Sequence, residues 1–410
     1  MSDLSPLRLV MVGIGGCGAS YLAELLGDSP PPGVKLVGAV DPRPEGSPFH
    51  ERLVHDRIPI ADSLSRLLDT ICADLVVIAS PIHWHAEQTC QALAHGAHVL
   101  CEKPAAGAIQ DVHRMMAAEA TAGRRVGIGF QWAFAPSTQA LKQDILSGRF
   151  GRPRRMRGLV CWPRSKAYYR RPWAGRLRDD DGRWILDSPI NNAAAHYLHH
   201  LLYVLGKTVA TSAVPGQVQA ELYRANSIES FDCGALRCIT TDGVEIVFYA
   251  AHAVDESLGP IGCLEFEQAT ITYPGDDPRC FMARLRDGTS VDYALPGWLP
   301  REKLDAAIAA VRDDRPMVCG LAAAAPHTMC VNSMHDSCPE IVSLPRQAIS
   351  TQTLGDDEII VVPGLTQALS ACYDRGLLPS ETGTMPWARS GSLVDTSAYS
   401  HFPNGFTTMP

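Results

Sequence analysis

The sequence predicts an α/β chain: an N-terminal doubly wound parallel sheet, then an α+β domain on a large, mostly antiparallel open sheet. Three observations carry this. Short Val/Ile/Leu-rich runs alternate with helical stretches through residues 1–131. A glycine cluster joins the first of these runs to the first helix. Beyond Gln131 the alternation gives way to successive strand-like runs punctuated by Asp-Gly turns.

In the first segment, Leu7–Val12, Lys35–Val40, Leu75–Ala79, His98–Cys101 and Arg125–Gly129 are apolar and too short for helices, so they read as buried strands. Ala19–Leu26, Ser63–Ile71, His85–His95 and Ile109–Ala122 read as the helices between them. Ser29-Pro30-Pro31-Pro32-Gly33 cannot continue a helix and is a loop. After Gln131 come a helix over Ser137–Ser147, a strand over Arg154–Trp162 and a long helix over Ile190–Leu205. The runs Val214–Arg224 to Ser290–Ala294 follow, with Asp242-Gly243 and Asp287-Gly288 as hairpin turns. They form an antiparallel sheet with one helix-covered face. Helices are expected over Pro300–Arg312, Cys319–Cys338 and Leu365–Arg375. Three segments result: a nucleotide-binding domain at 1–131, a substrate-binding and oligomerisation domain at 132–345, and an extension at 346–410 packing on the body.

Bulk properties narrow the function. A net charge of −8 over 410 residues disfavours a nucleic-acid partner. The 13 cysteines are scattered without a CxxC pair, as in a reduced cytoplasmic enzyme. The first apolar run is too short to span a bilayer, so no membrane partner is expected.

Gly13-Ile14-Gly15-Gly16-Cys17-Gly18 follows the first strand and opens the first helix. In that setting the pattern is the dinucleotide fingerprint of a Rossmann domain. Gly13 makes the tight turn, Gly15 lets the backbone approach a pyrophosphate, and Gly18 lets helix and strand pack closely. Phosphates would meet the helix N-terminus. Asp41 ends the second strand, where a carboxylate accepts from ribose hydroxyls and repels a 2′-phosphate, favouring NAD. Arg43 keeps NADP open. Ser80 and Pro81 follow another strand and should border the cofactor. His85 is expected to cap the next helix and to stand beside the cofactor.

At Cys101-Glu102-Lys103-Pro104 the chain resembles the glucose–fructose oxidoreductase/inositol dehydrogenase/MocA family. The glycine loop, the Pro81/His85 spacing and the helix before Leu205-Gly206 extend the likeness over nearly the whole chain. The resemblance implies a nicotinamide cofactor, a sugar or cyclitol substrate, and a homodimer or homotetramer. It implies that Glu102 and Lys103 meet the cofactor and that Lys103 touches the substrate as well. An ammonium there polarises the reacting oxygen.

His196 matches the family's catalytic histidine. Asn192 stands four residues before it, where the family has Asp, and His199 replaces a second Asp. Spacing of four places Asn192 and His196 on one helix face. Asn192 can position a ligand but carries no charge. His196 has an imidazole suited to act as general base. No carboxylate or Cys at ligand spacing accompanies His196 and His199, so no metal is expected.

Trp132, Trp162 and Tyr168 offer aromatic faces to a substrate, and aromatic and Arg residues between 149 and 184 equally suit a subunit contact. Where the family often has Arg, Ala133 and Phe134 stand. The reading is an NAD-dependent oxidation of a secondary hydroxyl on a sugar, glycoside or cyclitol. A transient-oxidation lyase or glycosidase, using His199 or His200 as extra acid/base groups, is the alternative. A non-catalytic NAD-responsive binding protein is the third reading.

Overall fold

A computed structural model of the protein describes residues 5–297 and 300–404. The chain divides into two compact units. The first comprises Met1–Ala106, Gln110–Ala135 and Gly297–Ala325, the second Gly107–Ile109, Pro136–Pro296 and Pro326–Pro410. This differs from the expected segments 1–131, 132–345 and 346–410. Residues 297–325 return to the first unit, and the last segment is part of the second rather than an appendage. Residues 405–410 of that segment lie outside the described residues.

The first unit holds a six-stranded sheet: β1 (Leu7–Val12), β2 (Val34–Val40), β3 (Ile60–Ala61), β4 (Leu75–Ile78), β5 (His98–Cys101) and β6 (Val126–Ile128). Their order is β3-β2-β1-β4-β5-β6, and every pair is parallel. Val10, Met11, Val76, Val77, Val99 and Leu100 are fully buried, as strands covered on both faces require. Strand order reverses between β1 and β4, which is where such sheets bind ligands.

The Pro300–Arg312 helix completes this unit. It buries Leu304, Ala307 and Ile308, and two arginines on it reach the proline-rich loop. Arg301 Nη1 donates to the Ser29 carbonyl at 2.7 Å, and Arg312 Nη2 to the Pro32 and Gly33 carbonyls at 2.7 and 2.9 Å. Beyond the helix, the Ile128 N–H donates to the Cys319 carbonyl at 2.7 Å, covering the open edge of β6.

The second unit is built on a ten-stranded sheet. Its strands are β7 (Pro153–Cys161), β8 (Pro215–Arg224), β9 (Cys233–Thr240), β10 (Glu245–Ala251), β11 (Leu258–Phe266), β12 (Ala269–Tyr273), β13 (Cys280–Leu285), β14 (Ser290–Ala294), β15 (Val342–Ser343) and β18 (Val394–Asp395). β16 (Ser350–Leu354) and β17 (Asp357–Val361) form a separate hairpin. The main order is β14-β13-β12-β11-β7-β10-β9-β8-β15, with β18 on β8. Pairing is antiparallel except for β7 with β10 and β15 with β8, so the sheet is mixed.

Residues alternate between its faces. The Ala195–Val204 helix lies over Gly158 of β7, where an added Cβ would come within 3.3 Å of Leu201 and 2.7 Å of Phe248. On the other face Leu159, Cys161, Val247 and Tyr249 pack against Leu365, Leu369, Cys372 and Leu378. The expectation of a single covered face is corrected. The C-terminal residues supply the second cover because both sets of alternating positions are apolar.

Candidate active site

In the first unit the loops after β1, β2, β4 and β5 hold the predicted cofactor residues. Gly13 has a φ of +77°, and a Cβ there would lie 2.8 Å from the Ala79 carbonyl carbon after β4. A Cβ on Gly18 would lie 1.7 Å from the Gly13 oxygen, so that glycine seats the helix on the turn. At Gly15 and Gly16 an added Cβ meets nothing within 4 Å. Gly15 is the helix N-cap, without a side-chain cap. Gly15 and Gly16 therefore leave open space beside the N-terminus of the Gly16–Leu26 helix, where a pyrophosphate could approach the backbone.

Asp41 is engaged with the loop itself. One carboxylate oxygen accepts from the Ile14 N–H at 3.0 Å and the other from the Arg43 N–H at 2.9 Å. Each oxygen keeps a lone pair for a ribose hydroxyl. The Ser47 hydroxyl donates to the Ile14 carbonyl at 2.7 Å, so both sides of Ile14 are tied. Ser47 was not singled out from sequence; its only local signal is its place after the Pro-rich 42–44 turn. Burial, then the neighbouring Glu102, pushes the Cys17 thiol up to about 12, leaving it an inert packing group.

After β4, the Ser80 hydroxyl donates to Gln88 at 2.5 Å. His85 does not cap the helix it begins, whose N-cap is Trp84 with no side-chain bond. Its ring nitrogens lie 2.9 Å from the Ser80 carbonyl and 2.8 Å from the Pro104 carbonyl. The ring bridges the loops after β4 and β5, and burial holds its pKa below the ordinary value despite those two carbonyls. Its part in cofactor binding is to hold these loops, because both ring nitrogens are committed to protein carbonyls.

After β5, Glu102 is buried at 6% exposure. One carboxylate oxygen accepts from the Tyr21 hydroxyl at 2.7 Å and from Lys303 Nζ; the other accepts from the Lys103 N–H at 3.2 Å. Burial alone would raise its pKa. The Lys303 ammonium, with hydrogen bonds from Lys303 and Tyr21, overrides this and holds the carboxyl below the usual range. Sequence reading did not find Lys303. Trp132, in the short Gln131–Phe134 helix, is buried within this unit.

In the second unit the Ala195–Val204 helix is shorter than the Ile190–Leu205 helix expected, and Asn192 precedes it. Residues 188–194 are turns, because Asn191 and Asn192 bond locally instead of extending the helix. Asn191 Nδ2 donates to the Ile185 and Leu186 carbonyls at 3.2 and 3.1 Å. Asn192 Nδ2 donates to Asp187 Oδ1 at 2.9 Å and to Tyr168 Oη at 3.3 Å. The shared helix face predicted for Asn192 and His196 is thus replaced by a turn leading into the helix. Asp187, also missed from sequence, places a buried carboxylate beside Asn192 and accepts from the Gly175 N–H at 2.7 Å.

His196 is the second helical residue and 5% exposed. His199 is fully buried and stacked on Tyr203 with centroids 5.6 Å apart. His200 stacks on Phe281 at 5.2 Å, and burial, followed by the Lys142 charge, pushes its pKa down to about 3. His199 and His200 are thus both packed among aromatic side chains. Trp162 donates from Nε1 to the Gly259 carbonyl at 3.1 Å and meets Tyr197 edge-on, so its ring is part of the fold. Tyr168 joins Asn192, Trp173 and His252 in one cluster with Arg164 and Arg171 over its ring. Among the described residues no group of three His, Cys, Asp or Glu side chains is placed to hold a metal ion. Among them, too, no helix is long and apolar enough to cross a membrane.

Sheet order, glycine turn and open helix terminus define the first unit as a dinucleotide-binding Rossmann domain. Residues 7–130 match the model of the GFO_IDH_MocA group, described as "Oxidoreductase family, NAD-binding Rossmann fold". Through residues 7–130 the chain is similar to the NAD-binding domain of that family. Inositol 2-dehydrogenase of Streptomyces avermitilis is 34% identical over 156 residues, which is 37% of this chain and 43% of the relative. A Comamonas testosteroni enzyme named 1-carboxy-3-chloro-3,4-dihydroxycyclo hexa-1,5-diene dehydrogenase is 29% identical over 289 residues, 68% of this chain and 66% of that one. Each alignment spans less than two thirds of the relative's own length. Among solved structures, the WlbA dehydrogenase of Bordetella pertussis, in complex with NADH and UDP-GlcNAcA, superposes with a TM-score of 0.66. It is 22% identical over 82% of this chain and 97% of the other, which shows a shared fold.

Proposed function

We propose that the protein is an NAD-dependent oxidoreductase that oxidises a secondary hydroxyl of a sugar, glycoside or cyclitol. The observation that carries this is the set of loops after β1, β4 and β5: the open Gly15–Gly16 cradle, Ser80–Pro81 and Glu102–Lys103 leave adjacent strands at the reversal of strand order. NAD, when bound, supplies the hydride acceptor. Gly13–Gly18 and Asp41 would hold its phosphates and adenosine ribose. Lys103 would polarise the reacting oxygen and stabilise charge as the hydroxyl loses its proton. His196 would accept that proton, and Asn192 would orient the substrate or the imidazole.

The relatives' names support a polyol or cyclic alcohol as substrate. We place the protein in the cytoplasm, as a homodimer or homotetramer. Such an assembly uses a surface other than the sheet face that Leu365–Leu378 already cover. The lyase or glycosidase alternative drew on His199 and His200 as extra acid/base groups, and their burial removes that support.

The test is turnover on a sugar and cyclitol panel followed by NADH absorbance. Lys103→Ala and His196→Ala should each lower kcat about 10²-fold or more while NADH binding persists. A His196→Ala enzyme with full activity removes that residue from the mechanism, and turnover without net NADH accumulation favours the lyase.

A further inference from the structure

We infer that Lys303 is a positioning residue for the dinucleotide site: through the Glu102 carboxylate it holds the Lys103 main chain and the glycine-loop helix in one arrangement. This rests on the reading of the first unit as the NAD site. Lys303 and Glu102 are 201 residues apart, and Lys303 is 1% exposed. An ammonium is expensive to bury and is found there only when paired. Its partner is no surface acid but the residue immediately before Lys103.

The carboxylate gathers three elements. Tyr21 of the Gly16–Leu26 helix and Lys303 of the Pro300–Arg312 helix donate to one oxygen, and the Lys103 N–H after β5 donates to the other. The end of β6 closes on it as well, since a Cβ on Gly129 would lie 2.9 Å from Oε1. All three partners are donors. The ionised carboxylate accepts from all three with no proton to place, whereas an amide turns a hydrogen toward one of them.

The titratable groups facing Glu102 are Tyr21 and Cys17 from the helix, Cys101 and Lys103 around the end of β5, His85 from the next helix, and Lys303. Burial lowers the His85 pKa, and the two lysines are the fixed cations facing Glu102. Lys303 is the larger influence on Glu102. Without it the Tyr21 hydrogen bond and the Lys103 charge remain, but burial loses its strongest opponent and the carboxyl titrates at higher pH. Folded protein then carries a neutral acid on the acidic side and an unpaired buried charge on the alkaline side.

The experiment measures NADH dissociation constants by fluorescence, with thermal midpoints in parallel, from about pH 6 to about pH 8. It compares wild type, Lys303→Met and the Glu102→Gln/Lys303→Met double variant. Wild type should vary less than about threefold across the range, and Lys303→Met should weaken about tenfold or more toward the alkaline end. The double variant, with no charge left to pair, should return to a flat profile. A group whose pKa is raised on folding stabilises at low pH and loses that contribution as pH rises. The Lys303→Met midpoint should therefore fall with pH and the double variant's stay level, a readout that also serves if the single variant unfolds at the alkaline end. A Lys303→Met profile as flat as wild type, in binding and midpoint, overturns the inference. So does uniform weakening shared by the single and double variants, which marks a general packing role. If wild type binds no NADH, the cofactor reading fails, and the midpoints still decide whether Lys303 keeps Glu102 ionised.

Discussion

Glu102 in the first unit and Asp232 in the second are both carboxylates sealed from solvent, and they are kept there in opposite ways. Glu102 faces a buried ammonium, and its pKa is lowered against the pull of burial. Asp232, fully buried, accepts among the described residues from neutral donors: the Ala225 N–H at 2.9 Å, and the Asn226 N–H and Nδ2 at 2.7 and 2.8 Å. Burial wins there and raises its pKa. Asp187 likewise accepts from the Asn192 amide and the Gly175 N–H. At Asp232 the hydrogen bonds from neutral groups do not offset burial, whereas at Glu102 the added ammonium does.

The same isosteric swap should therefore have different consequences in the two units. Glu102→Gln strands the Lys303 ammonium and should cost about 3–5 kcal/mol by chemical denaturation. Asn192→Asp sets a second carboxylate against Asp187 and should cost about 1–3 kcal/mol at neutral pH, regained on acidification as one of the pair takes a proton. Asp232→Asn should cost about 1–2 kcal/mol, since its amide nitrogen faces an N–H donor but no cation is left unpaired. Equal losses from Glu102→Gln and Asp232→Asn would break the contrast.

The pH dependence sharpens it, because the signs are opposite. The lowered Glu102 contributes stability above the ordinary carboxylate pKa, and that is lost as pH falls through its folded value. The raised Asp232 contributes below the ordinary value, and that is lost as pH rises through its folded pKa. Relative to wild type, Glu102→Gln should therefore fare better as the solution is acidified, and Asp232→Asn better as it is made alkaline. Thermal midpoints across the acid range check both.

Legibility also differed between the units. The parallel sheet and glycine turn were readable because their signals are local: apolar runs of strand length, and glycines where Gly13 needs a positive φ and Gly18 a close approach. The helix expected near Leu365–Arg375 is present over those residues. The Ile190–Leu205 helix was drawn too long because Asn191 and Asn192 look compatible with a helix until their side-chain partners are known. His199 and His200 read as candidate site groups because a histidine's burial cannot be seen along the chain.

By itself the sequence determined the alternation of strands and helices, the nucleotide-binding turn and the order of the loops that follow it. All of these are written within spans short enough for one element and its caps. The tertiary structure alone decided which distant side chains share a buried space. Residues 297–325 rejoin the first unit, Lys303 meets Glu102, and Asp187 turns the Asn192 amide toward itself. A charge or an amide carries no mark in the chain of the partner it will need once water is removed, so pairing at this range is settled by packing.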